Sequence, residues 1–207
     1  MVKVKICGIT NLEDAQAAVR AGADALGFVF YQDSPRHIFP FRAKQIIKKL
    51  PKRIVKVGVF VNAGWDLIYQ TAEFCSLDML QLHGSESPEF CRRFKNYRVI
   101  KAFRIKDKIP LRKILKFKTY AYLFDTFKRS KPGGTGTSFN WSLLAELKDA
   151  KAKIILSGGL NQRNVARAIR QVRPDWVDLS SSVESRPGKK DPQKLKNFIR
   201  VTKRIVL

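Results

Sequence analysis

The sequence predicts a (β/α)8 barrel built as a single α/β domain. Three observations carry this. Eight strand-like segments recur along 207 residues, and most neighbouring pairs have a helical pattern between them, the alternation that makes a parallel sheet. The segments are evenly spaced with no long crossover, which favours a closed sheet over the alternative, an open doubly wound one. No linker or second domain breaks the series.

The first strand ends at Cys7. Val2, Val4 and Ile6 alternate with Lys3, Lys5 and Cys7, the period of a strand. Gly8 breaks it, and Thr10 or Asn11 caps a helix over Leu12–Ala21 with Glu13 and Asp14 in its first turn. Strand two covers Ala23–Phe30, and helix two covers Phe41–Leu50 between Pro40 and Pro51. Strand three is Ile54–Phe60 and its helix Trp65–Phe74. Strand four is Met79–His83, and Ser87-Pro88 opens helix four with proline at the first helical position. Strand five is Val99–Phe103, followed by a short helix over Leu111–Phe117. Strand six, Tyr120–Phe124, ends at Asp125. The long loop Asp125–Ser138 contains Gly133-Gly134-Thr135-Gly136 and reads as an active-site lid. Helix six falls near Trp141–Leu147, strand seven on Lys153–Ser157 and helix seven on Asn164–Gln171. Strand eight, Trp176–Ser180, and a last helix over Gln193–Ile205 complete the series.

Composition narrows the function. No apolar run approaches the ~18–20 residues of a membrane span, and the chain reads directly into a strand without an apolar signal region. The three cysteines, Cys7, Cys75 and Cys91, are odd in number and widely spaced. That argues against a disulfide framework and for a reducing compartment, so a cytoplasmic location is expected. With only His37 and His83, a histidine metal centre is not expected. The net charge is +24, from 41 basic and 17 acidic residues. Nucleic-acid binding is one reading of that excess. The basic residues are scattered over predicted helices with no aromatic-basic ladder, so solvated helix faces are the reading adopted, with neither nucleic acid nor membrane as partner.

Unusual residues gather at the strand ends: Cys7, Arg36, His83, Asp125, Gly158-Gly159 and Ser180-Ser181-Ser182. A barrel places all of these at one mouth, where ligands bind. Gly158-Gly159 follows strand seven and Ser180-Ser181 strand eight, the loops that often hold phosphate in barrels. Bare glycines let backbone N–H groups approach an anion. Gly134, in the lid, could fold over that phosphate. Cys7 and Asp125 end strands one and six, positions that face each other across an eight-stranded ring. Lys5 shares the parity of Cys7, and a nearby ammonium favours the thiolate. If Lys5 is buried it needs a partner, and Asp178 on strand eight is the natural one. The Arg36 fork suits a carboxylate. His83 reads as a positioning or packing residue.

These residues also carry a resemblance. Lys5-Ile6-Cys7-Gly8-Ile9-Thr10, Ser34-Pro35-Arg36, Gln81-Leu82-His83-Gly84, Gly133-Gly134-Thr135-Gly136, Leu156-Ser157-Gly158-Gly159-Leu160 and Val177-Asp178-Leu179-Ser180-Ser181 together resemble phosphoribosylanthranilate isomerase. The likeness runs in order from Lys5 to Asp191. It implies an Amadori rearrangement of N-(5-phosphoribosyl)anthranilate in tryptophan synthesis, with no metal or organic cofactor, by a monomer or homodimer. It implies Asp125 as general acid, Cys7 as general base and Arg36 on the anthranilate carboxylate. It puts Gly158, Gly159, Ser180 and Ser181 on the phosphate, and the expected substrate contacts include His83 and Gly134. A related sugar-phosphate isomerase of histidine synthesis is less similar and has a carboxylate at the position of Cys7. Ser182 replaces the family's usual glycine, so φ < 0 is expected there, with Val183-Glu184-Ser185 continuing as a helical turn. Asn140 stands where Asp is usual.

Overall fold

In the computed structural model, which describes residues 1–105, 109–126, 140–147 and 152–205, eight parallel strands close into a barrel in sequence order. They are β1 (Lys3–Cys7), β2 (Ala25–Val29), β3 (Val55–Phe60), β4 (Met79–Leu82), β5 (Arg98–Ile105), β6 (Ala121–Thr126), β7 (Lys153–Leu156) and β8 (Trp176–Leu179). Closure is made by β8 on β1, with Lys5 opposite Asp178. That pairing rules out the open sheet.

Period-two alternation sorts each strand between two cores. Ala25, Val57, Met79, Ile100, Ala102, Ala121, Leu123, Ile155 and Trp176 pack together inside the barrel. Their strand neighbours Leu26, Phe28, Leu80, Tyr122, Phe124 and Val177 belong to the larger cluster under the helices. Burial of each large side chain contributes ~1.5–3 kcal/mol. On β1 the same parity turns Lys5 and Cys7 inward. Cys7 packs with Val29 and Val59 near the mouth.

The covering helices are α1 (Leu12–Ala21), α2 (Pro40–Ile47), α3 (Trp65–Cys75), α4 (Pro88–Arg92), α5 (Leu111–Ile114), α6 (Val165–Val172) and α7 (Pro192–Lys203). Asn11, not Thr10, caps α1: its side chain accepts from the Asp14 N–H at 2.9 Å. Asp191 caps α7 by accepting from Gln193 and Lys194. α5 is one turn rather than the expected Leu111–Phe117, and Trp141–Leu147 is a 3₁₀ helix. After β8 a 3₁₀ turn, Ser181–Val183, leads into a hairpin of β9 (Glu184–Arg186) and β10 (Lys189–Lys190). The expected helical turn therefore stops at Val183. No helix among the described residues is long and apolar enough to cross a membrane.

Candidate active site

The carboxyl ends of the strands form the site. A cleft of ≈ 840 Å³ there is lined by Asp125, Thr126, Gly158, Gly159, Ser180, Ser181 and their neighbours. A smaller cavity of ≈ 420 Å³ lies beside it, against His83 and Phe103. Arg104, the register partner of Asp125 on β5, borders both.

Asp125 is the last inward position of β6. Its Oδ1 accepts from the Thr126 N–H at 2.8 Å, and its Oδ2 faces His83 Nε2 at 3.5 Å. Gly158 has φ +76, and a Cβ there would stand 2.6 Å from Asp125 Oδ1 and 2.3 Å from Thr126 N. Only glycine fits that turn beside the carboxylate. The Thr126 and Ser180 hydroxyl oxygens are buried, with no hydrogen-bond partner among the described residues. Such orphans in a cleft suit a polar ligand. The backbone at Ser182 avoids positive φ, as expected.

Cys7 ends β1 in a pocket of buried charge. Lys5 Nζ donates to Asp178 Oδ1 at 2.9 Å, with both side chains almost fully buried. Burial works against the Lys5 ammonium, but Asp178 and Cys7 outweigh it and hold its pKa above the ordinary lysine value. Lys5 favours the Cys7 thiolate, as expected, but it does not win. Burial is the largest influence on Cys7 and pushes its thiol up, and Asp178 adds to this; Lys5 and Lys190 pull the other way without reversing it.

Arg36 has a protein partner that its sequence surroundings did not indicate. Its fork is already engaged: Nε and Nη2 donate to the two Glu184 oxygens at 2.9 and 2.6 Å. Its chain crosses Gly8, whose φ is +78 and where a Cβ would stand 2.6 Å from Arg36 Cδ. Lys190, wholly buried, donates to Glu184 Oε1 at 2.8 Å and to the Cys7 carbonyl at 2.6 Å. Burial penalises the Glu184 carboxylate, but bonds from Arg36 and Lys190 hold its pKa below the usual range. Lys190 shares that one carboxylate with Arg36, so burial prevails and lowers its pKa.

The structure thus brings Asp125, Gly158, Gly159, Ser180 and Ser181 to one cleft and joins His83 to it through Asp125. Arg36 and Cys7 are linked through Glu184 and Lys190. Gly134 lies outside the described residues. Sequence reasoning did not single out Gln81, Thr126, Glu184 or Lys190 as site residues. Gln81 shares the inward parity of His83, which was the available signal. Glu184 and Lys190 sit on a hairpin with no hydrophobic period. Among the described residues no cluster of three or more His, Cys, Asp or Glu side chains could hold a metal ion.

Fold and cleft define a (β/α)8-barrel enzyme with its site at the carboxyl mouth. The family described as N-(5'-phosphoribosyl)anthranilate (PRA) isomerase matches residues 4–201. A protein of that name from Pelobacter propionicus is 52% identical over 98% of this chain and 96% of its own length. The crystal structure of the phosphoribosyl anthranilate isomerase from Thermotoga maritima is similar with a TM-score of 0.93 and 46% identity, covering 99% of this chain and 100% of that one. A structure of such an isomerase in complex with reduced 1-(o-carboxyphenylamino)-1-deoxyribulose 5-phosphate has a TM-score of 0.90 and 44% identity, covering 99% and 100% of the two chains. The chain belongs to the N-(5'-phosphoribosyl)anthranilate isomerase family, enzymes of tryptophan biosynthesis.

Proposed function

We propose that Asp125 and Cys7 are the proton-transfer pair of the Amadori rearrangement. Asp125 gives its proton to the furanose ring oxygen. The C1–O bond breaks and the anilino nitrogen's lone pair forms an iminium. Cys7, as thiolate, takes the C2 proton, and the C2–H electrons flow to the iminium nitrogen to give an enolamine. Tautomerisation yields the ketone. The iminium acidifies C2–H, so a modest base suffices. The observation that carries this reading is the position of both groups at inward strand ends around one mouth, with Asp125 and Asp178 lining one cleft and Asp178 paired to the Lys5 beside Cys7.

Gly158, Gly159, Ser180 and Ser181 hold the phosphate, with the Ser180 hydroxyl available to donate. Arg36 offers the anthranilate carboxylate its Nη1 edge, the side clear of Glu184. His83 is a contact of the acid before it is a contact of the substrate. The relative solved with a reduced product analogue supports the substrate class. Cys7→Ala and Asp125→Asn should each lower kcat by about 10²–10⁴, read from the fluorescence change as substrate is consumed. Activity within a few-fold of wild type removes that residue from the mechanism.

A further inference from the structure

Gln81, the last inward position of β4, and His83, just past the strand's end, reach toward Asp125. Gln81 is 1% exposed, and its Nε2 lies 2.7 Å from His83 Nδ1. The other imidazole nitrogen faces Asp125 Oδ2 at 3.5 Å. An amide nitrogen only donates, so Nδ1 accepts, and a neutral imidazole with a bare Nδ1 carries its hydrogen on Nε2.

We propose that Gln81 is a positioning residue that holds His83 in the Nε2–H tautomer, ready to donate to Asp125 as that group gives up its proton. The proposal rests on Asp125 as the acid. When its proton passes to the ring oxygen, a carboxylate remains. The Thr126 N–H already meets Oδ1, and His83 Nε2–H then meets Oδ2. Two preset donors on the departing acid's conjugate base make proton donation easier. A gap of 3.5 Å is loose for such a bond, and contacts of this kind tighten once substrate fills the site.

The reverse arrangement is poorer. Turning the amide over would give Nδ1–H an oxygen but strand both amide hydrogens in the barrel. It would also aim the bare Nε2 at Asp125 Oδ2, where it competes for the proton that the acid must deliver to the ring oxygen. The observed arrangement leaves one acceptor, Gln81 Oε1, buried without a partner among the described residues. Among the described residues, the charged groups near the pair include Asp178 on β8, Lys5 paired with it, Arg104 next to Asp125, and Glu86 and Lys101, which line the cavity beside His83. None of these takes over the contact at Nδ1.

Nitrogen-15 NMR of the whole protein tests this. The chain has two histidines, and a His37→Gln variant leaves the His83 signals alone. At a pH of about 8, above the usual histidine range, the proposal expects hydrogen on Nε2 and a bare Nδ1, shifting to a mixture in Gln81→Met. A dominant Nδ1–H form in the otherwise unaltered protein overturns it, even if Gln81→Met does not fold. In kinetics, Gln81→Met should lower kcat by about 10–100-fold with a smaller change in KM. A raised KM with unchanged kcat would make Gln81 mere packing. An active Asp125→Asn variant would sink the acid reading and the donor role with it, and the tautomer measurement separates the two failures.

Discussion

Cys7, the proposed base, sits where burial works against its ionised form. Burial, seconded by Asp178, pushes its thiol pKa up, against the pull of Lys5 and Lys190. If Cys7 is the base, kcat/KM should climb with pH through neutrality toward a value above the ordinary ~8.5. A pH–rate profile flat from pH 6 upward would exclude it. A carboxylate ionises far lower, so Cys7→Asp should move that alkaline limb to acid pH if the variant is active. The neighbouring Lys5–Asp178 pair makes a stability prediction. Both groups are buried, so Asp178→Asn leaves an ammonium without its counter-charge and should cost ~3–5 kcal/mol in urea unfolding. The double replacement Lys5→Met with Asp178→Leu should recover most of that. If the single variant costs under ~1 kcal/mol, the pair behaves as a solvated one.

The hairpin β9–β10 is the element that sets the binding corner. It carries Glu184 to Arg36 and Lys190 to the Cys7 carbonyl, and Asp14 on α1 accepts the Lys190 N–H at 2.7 Å. Glu184→Gln keeps the shape but removes the charge that fixes the Arg36 fork. KM should rise about ten-fold, the worth of one charge-assisted hydrogen bond, while kcat moves less. Stability should also fall, because Lys190 is left buried with no carboxylate. An unchanged KM would show that Arg36 holds its place without Glu184. The barrel strands were legible in the sequence because alternation across two apolar cores is a strong signal. The hairpin was not, since Glu184–Arg186 and Lys189–Lys190 alternate nothing apolar. The one-turn α5 was overlong as read because Phe117 continues the apolar spacing, yet its ring packs edge-on against Phe103.

For the molecule as a whole, the charge of +24 is not explained by its buried lysines, each of which meets a carboxylate. Lys5, Lys101 and Lys190 are buried, and Lys101 ties Glu86 to the Leu82 and Gly84 carbonyls. On the reading of a scattered basic surface, duplex DNA should bind weakly and be released by ~0.2 M salt, as expected of diffuse phosphate contacts. Tight binding that persists at that salt, measured by fluorescence anisotropy, would reveal a nucleic-acid surface.

Sequence alone determined the barrel, because a strand buried on both faces and a helix buried on one leave different periods in the chain. It also brought the candidate site residues together: the fold puts every strand's carboxyl end at one mouth, so residues far apart in sequence could be proposed as one site. Lys5 and Asp178 could be paired in advance because a buried charge must find its opposite on a neighbouring strand. What those groups do to one another was decided only by tertiary structure. Whether Cys7 ionises depends on burial weighed against Lys5 and Lys190. Whether Arg36 is free depends on Glu184 reaching it across 148 residues. Which histidine nitrogen faces Asp125 depends on the contact between Gln81 Nε2 and His83 Nδ1. Desolvation and hydrogen-bond geometry act over a few ångströms, and no spacing along a chain encodes distances that short between segments so far apart.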